Sequence, residues 1–195
     1  SVSLDKEGNK VAIGVAQYEE KNTARGYVRV YEENAETSLD AETTVKWSQL
    51  GENIDGEADG DKSGKTVSLS NDGKRLVVGS YFNDGNGDDS GHARVYEWKE
   101  FRQVDSDNET YHYQDRTQNA SQPKPLIMTA KDENDNYVAP VVGTYYWSQY
   151  ALDVDGERAG DFSGAATMSG NGRVIAIGAY KNDGVSTDTD DDRGH

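Results

Sequence analysis

An internal repeat constrains this chain more than any other feature. Val11-Ala12-Ile13-Gly14, Leu76-Val77-Val78-Gly79 and Ile175-Ala176-Ile177-Gly178 are three versions of one apolar segment. Each follows a glycine-containing turn: Glu7-Gly8-Asn9-Lys10, Asp72-Gly73-Lys74-Arg75 and Asn171-Gly172-Arg173. Before each turn lies another short apolar-alternating stretch, Ser1 to Leu4, Thr66 to Ser70 and Ala166 to Ser169. A glycine turn between two such stretches predicts a β-hairpin. A chain that repeats a hairpin unit builds thin stacked layers rather than one large core.

Further elements recur in the same order. Val28-Arg29-Val30-Tyr31-Glu32 matches Ala93-Arg94-Val95-Tyr96-Glu97 at the offset of 65 that separates the first two hairpins. Trp47-Ser48-Gln49 returns as Trp147-Ser148-Gln149, followed by Ile54-Asp55-Gly56-Glu57 and Val154-Asp155-Gly156-Glu157. The second and third hairpins lie 99 residues apart. The two offsets agree to within one residue, which lies between Gly164 and Ser169, once residues 34–45 and 99–145 are set aside as insertions at one place in the unit. A unit of about 50 residues with four short strands is propeller-blade size. The chain divides into a first unit, 1–65, a second, 66–165, and the start of a third, 166–195.

The run from Trp47 through Gly60-Asp61-Lys62-Ser63-Gly64, Asn71-Asp72-Gly73 and His92 to Trp98 resembles FG-GAP-type repeats. These are the blades of integrin-α-like β-propellers, and similar arrays occur in microbial and algal surface proteins. The resemblance implies an all-β fold, a propeller-like array of four-stranded antiparallel blades. About two and a half blades fit this chain, so the ring is expected to be open or incomplete, its edges calling for a partner. Such families often carry a calcium loop in the hairpin turn. Here a basic residue, Lys10, Lys74 or Arg173, follows the turn glycine where a closing carboxylate would stand, so these turns are expected not to bind calcium.

Only 33% of residues are hydrophobic, with 21 glycines and 12 tyrosines, as expected of short strands, tight turns and half-buried sheet faces. A net charge of −16 argues against nucleic acid and anionic membranes as partners. No apolar run is long enough to span a bilayer. The chain lacks an initiator Met and a signal peptide, and is read as a piece of a longer or processed precursor. With no cysteine, it has no disulfide and no thiolate metal site.

The acidic loops are the candidate metal sites. Asp55, Glu57, Asp61 and Ser63 recur as Asp155, Glu157, Asp161 and Ser163, and oxygens at alternating positions suit a hard cation such as Ca²⁺. The competing reading is a connection between blades whose Asp and Ser side chains cap backbone amides. His92 and His195 stand where the first unit has Tyr27, which suggests packing rather than chemistry. Trp47 and Trp147 share one repeat position and are read as packing between blades. No metalloprotease, nucleophile-elbow, phosphate-loop or zinc pattern is present, so no enzyme is expected.

The long insertion carries Asn108-Glu109-Thr110 and Asn119-Ala120-Ser121, two acceptor triplets for N-linked glycans. Its apolar segments, Leu126–Met128 and Tyr137–Val142, predict an extra hairpin and a surface for self-association. The leading expectation is an extracellular structural glycoprotein, a repeat subunit of a filament, sheath or cell-surface coat. Its subunits would meet through the 99–145 insertion and open sheet edges. The alternatives are a calcium-dependent adhesion or ligand-binding propeller and a noncatalytic module of a secreted enzyme.

Overall fold

The computed structural model describes residues 1–16, 25–37, 43–100, 141 and 143–182. Among these there is no helix, hence none that could cross a membrane, and the strands form antiparallel sheets. The first sheet runs β1 (Val2–Leu4), β2 (Lys10–Val15), β3 (Tyr27–Thr37), β4 (Thr43–Gln49), with β5 (Ile54–Asp55) also on β3. The second repeats that plan with β6 (Thr66–Leu69), β7 (Arg75–Ser80), β8 (His92–Glu100), β9 (Tyr145–Gln149) and β10 (Val154–Asp155). The third contains β11 (Ser163–Met168) and β12 (Ile175–Ala179). This is the all-β, partial propeller-like arrangement expected from the repeat, and among the described residues it closes no barrel.

The hairpin turns show why glycine recurs. Gly8, Gly73 and Gly172 have φ of 77°, 62° and 68°, a region that costs a side-chain-bearing residue free energy. A side-chain oxygen closes each turn. Asp5 Oδ1 accepts from Lys10 N at 3.1 Å, Ser70 Oγ from Arg75 N at 2.9 Å, and Ser169 Oγ from Val174 N at 3.0 Å. Asp72 and Asn171 add Asx turns, accepting from Lys74 N and Arg173 N at 3.0 Å each.

The short insertion proves to be more sheet. The β3–β4 ladder continues past Glu33↔Trp47 to Thr37↔Thr43, so most of 34–45 lengthens a hairpin. In the second unit the ladder ends at Glu100↔Tyr145, and the long insertion leaves from that end.

Alternation along each strand sends successive side chains to opposite faces. One face of the first sheet (Ala12, Val28, Val30, Ile54) packs on one face of the second (Val67, Leu69, Leu76, Val78, Tyr96, Trp147). The second sheet's other face (Val77, Ala93, Val95) packs on Ala166 and Met168 of the third, with Ile175 and Ile177 beside them. The core is therefore two parallel seams, each between neighbouring sheets.

The seams share one set of hydrogen bonds. Ser1 Oγ donates to Gly64 O at 2.8 Å, and Thr66 Oγ1 to Gly164 O at 2.6 Å. Ser3 Oγ accepts from Leu69 N at 2.9 Å, and Ser68 Oγ from Met168 N at 3.1 Å. Lys6 N donates to Asn71 O at 3.1 Å, and Asn71 N to Gly170 O at 2.7 Å. Glycine makes this approach feasible: a Cβ on Gly14 would lie 2.1 Å from Gly64 O, and one on Gly79 would lie 1.9 Å from Gly164 O.

Candidate functional site

Both β4 and β9 break after their glutamine, and the chain bulges before rejoining the same edge as β5 or β10. Each bulge is clasped from within. In the first unit, Gln49 Nε2 donates to Gly51 O at 3.0 Å and to Asn53 Oδ1 at 3.2 Å, while Arg29 Nε donates to Asn53 Oδ1 at 2.9 Å. In the second, Gln149 Nε2 donates to Ala151 O at 2.9 Å and to Asp153 Oδ1 at 2.6 Å. Arg94 Nε completes it, donating to Asp153 Oδ1 at 2.6 Å.

The second clasp has grown into a charged cluster. Arg94 Nη2 also pairs with Glu57 Oε1, which arrives from the connection between the first and second units. Glu57, His92 and Asp153 place their donor atoms within 4.8 Å of one another, a metal-compatible spacing. Arg94 already fills the cationic role there, touching both carboxylates, and a metal ion would have to displace a buried guanidinium.

Burial alone would lower the Arg94 pKa, but the hydrogen bond to Asp153 and the charges of Asp153 and Glu57 raise it. Burial would likewise raise Asp153 and Glu57, yet Arg94 holds both below the usual carboxylate range. Burial, then the Arg94 charge, pushes His92 down to about 4. Its Nδ1 is buried without a hydrogen bond, 3.8 Å from Asp155 Oδ1. With a neutral imidazole at pH 7, that contact is not an ion pair. Burial raises Asp155, helped by the Asp153 charge, and burial pushes Tyr96 up to about 12.

The six acidic positions singled out from the sequence are distributed as follows. Asp61 Oδ2 accepts from Ala58 N at 2.9 Å and from Asn83 Nδ2 at 3.1 Å, and Glu57 Oε2 accepts from the same Asn83 amide at 3.2 Å. In the next unit, Asp161 Oδ2 accepts from Arg158 N at 2.8 Å and from Asn182 Nδ2 at 2.8 Å, with Glu157 Oε2 3.5 Å from that amide. Each Asp caps its turn while an asparagine bridges it to the Glu. Asp55 and Asp155 lie on β5 and β10, opposite Tyr27 and His92. Asn108, Asn119, Leu126–Met128 and His195 fall outside the described residues, as does Tyr137–Val142 apart from Val141.

Sequence reading missed Arg94, Asp153 and the two bridging asparagines. The signal was present, since Gln49/Gln149, Arg29/Arg94 and Asn53/Asp153 all recur at matching positions.

The segment that contributes Glu57, Asp61, Asn83, His92 and Arg94 matches the family model of the FG-GAP repeat over residues 54–96. Residues 54–96 are similar to an FG-GAP repeat. The matched FG-GAP segment begins on β5 and ends within β8, so it includes the connection that feeds the cluster. FG-GAP repeats are typical of extracellular proteins, and the match is to a repeat module of cell-surface or adhesion type. Comparisons with curated proteins and with solved structures returned no match.

Proposed function

We propose that this chain is an extracellular structural protein whose FG-GAP-type units stack into a filament, sheath or cell-surface coat. The observation that carries the reading is the recurrence of one junction. The same hydroxyl-to-carbonyl, amide-to-hydroxyl and amide-to-carbonyl bonds join the first sheet to the second and the second to the third. A junction that repeats with fixed chemistry is what a linear array needs, since each unit contacts only its neighbours. The polar residues at the centre of the molecule support it further. Arg94 neutralises two half-buried carboxylates instead of leaving them open to a substrate.

N-linked glycans at Asn108 and Asn119 belong to this reading, and they place the chain on a secretory route. Negative-stain electron microscopy of native material, labelled with an antibody to this chain, is the direct test. Labelled filaments or coats with glycopeptides at both asparagines are expected. Label confined to dispersed, unglycosylated particles overturns the proposal.

A further inference from the structure

The first sheet carries a copy of a face that is covered, among the described residues, in both the second and the third sheet. Val2, Leu4, Val11, Ile13, Tyr31 and Trp47 stand at the repeat positions of Val67, Leu69, Leu76, Val78, Tyr96 and Trp147. In the second sheet that face lies under the first, leaving Val67 8%, Leu69 6% and Trp147 2% exposed. In the first sheet Val2 is 66%, Leu4 58% and Trp47 45% exposed. Contiguous exposed apolar side chains of this kind mark a contact surface.

The complement is at the other end of the same chain. The faces that cover this surface elsewhere present a hydroxyl and a small apolar residue, Ser3 with Ala12 or Ser68 with Val77. The third sheet presents Thr167 and Ala176 at those positions, both exposed. Thr167 pairs with Ala176 in the β11–β12 register, as Ser3 pairs with Ala12 and Ser68 with Val77.

We infer that the exposed face of the first sheet takes the outer face of the third sheet of a second copy. Thr167 Oγ1 then accepts from Leu4 N, as Ser3 Oγ does from Leu69 N. Such a head-to-tail contact is heterologous: it closes into a ring or runs on as a filament, depending on the rotation per subunit. The inference rests on the structural reading above and names the surface that would carry it.

The test is sedimentation of the purified chain over a wide concentration range, with Leu4→Glu and Ala176→Glu as variants. Both positions are exposed, so circular dichroism of each variant should match the parent. The parent is expected to grow in steps of its 21.4 kDa mass. Each variant alone should lose association by at least tenfold. Mixed together, they should form a dimer and nothing larger, because one intact face remains on each. Association of Ala176→Glu at the parental level would mean that the first-sheet face meets its own copy, and would overturn the inference. Assembly by both variants would also overturn it while leaving the filament reading intact through the 99–145 insertion. A parent that stays monomeric, with no filaments in native material, would remove both.

Discussion

Arg94 grips Asp153 with two parallel hydrogen bonds, Nε to Oδ1 at 2.6 Å and Nη2 to Oδ2 at 2.5 Å. The two residues lie 59 apart in sequence, with the long insertion between them. Bidentate geometry fixes both side chains, and removing Arg94 leaves two half-buried carboxylates, Asp153 and Glu57, without their counter-charge.

Arg94→Met should therefore destabilise the chain by about 2–4 kcal/mol, less than a fully buried pair because both carboxylates keep some contact with water. Asp153→Asn should cost about 2 kcal/mol or less, because Asn53 already serves the equivalent arginine, Arg29. Urea denaturation of the three proteins checks the order. Equal losses in both variants would mean that charge, not shape, holds the bulge.

The close approach of neighbouring sheets sets a second expectation. Gly79→Ala puts a methyl 1.9 Å from Gly164 O, so the second and third sheets must separate. A cost of about 3 kcal/mol or more is expected. Gly8→Ala meets nothing within 4 Å and pays only for its positive φ, about 1 kcal/mol. Thermal unfolding of the pair would expose any error in this ranking.

His92 gives the fold an acid-sensitive window. Its pKa is about 4 when folded and 6.5 ordinarily, so the unfolded chain binds the proton more readily. Stability is complete above about pH 6.5 and declines as pH falls toward 4, by on the order of 2–3 kcal/mol. Glu57 and Asp153, held below the usual carboxylate range, lose their contribution at lower pH still. His92→Gln should flatten the pH 6.5–4 limb of a stability profile. A limb unchanged in that variant would assign the sensitivity elsewhere.

The turn-capping aspartates separate a structural role from a metal role. Asp61→Ala and Asp161→Ala each lose a bond from a backbone amide and one from a buried asparagine. Each should cost about 1–2 kcal/mol in calcium-free buffer. If the loss emerged only with calcium present, the loops would be cation sites first and caps second. Calorimetry with Ca²⁺ on the same variants provides the comparison.

How much of this was legible depended on distance along the chain. The hairpins were, because Gly8, Gly73 and Gly172 announce their turns within a few residues of the apolar strands they join. The equivalence of Trp47 and Trp147 was legible too, but not their opposite burial, which depends on whether a sheet lies over each. The clasp was hidden because Arg94 and Asp153 meet only after β8, β9 and β10 have assembled on one edge. Gly14 and Gly79 read as strand ends, and only the stacked sheets show that they make room for a neighbour's carbonyl. Residues 34–45 read as an insertion because sequence comparison sees lost similarity, whereas a ladder needs only backbone.

The place where the long insertion leaves the sheet has an engineering consequence. The β8–β9 ladder is already closed by Trp98↔Trp147 and Glu100↔Tyr145 before the chain departs, and Trp98 stacks on Tyr145 with ring centroids 6.0 Å apart. The first unit joins the corresponding strands through residues 38–42, the second through 101–144. Loop-closure entropy rises only with the logarithm of length, so this difference costs about 2 kcal/mol. The end of the β8–β9 ladder is thus a permissive port: foreign sequence spliced in after Glu100, such as an epitope or a binding peptide, would leave the strands paired at little entropic cost.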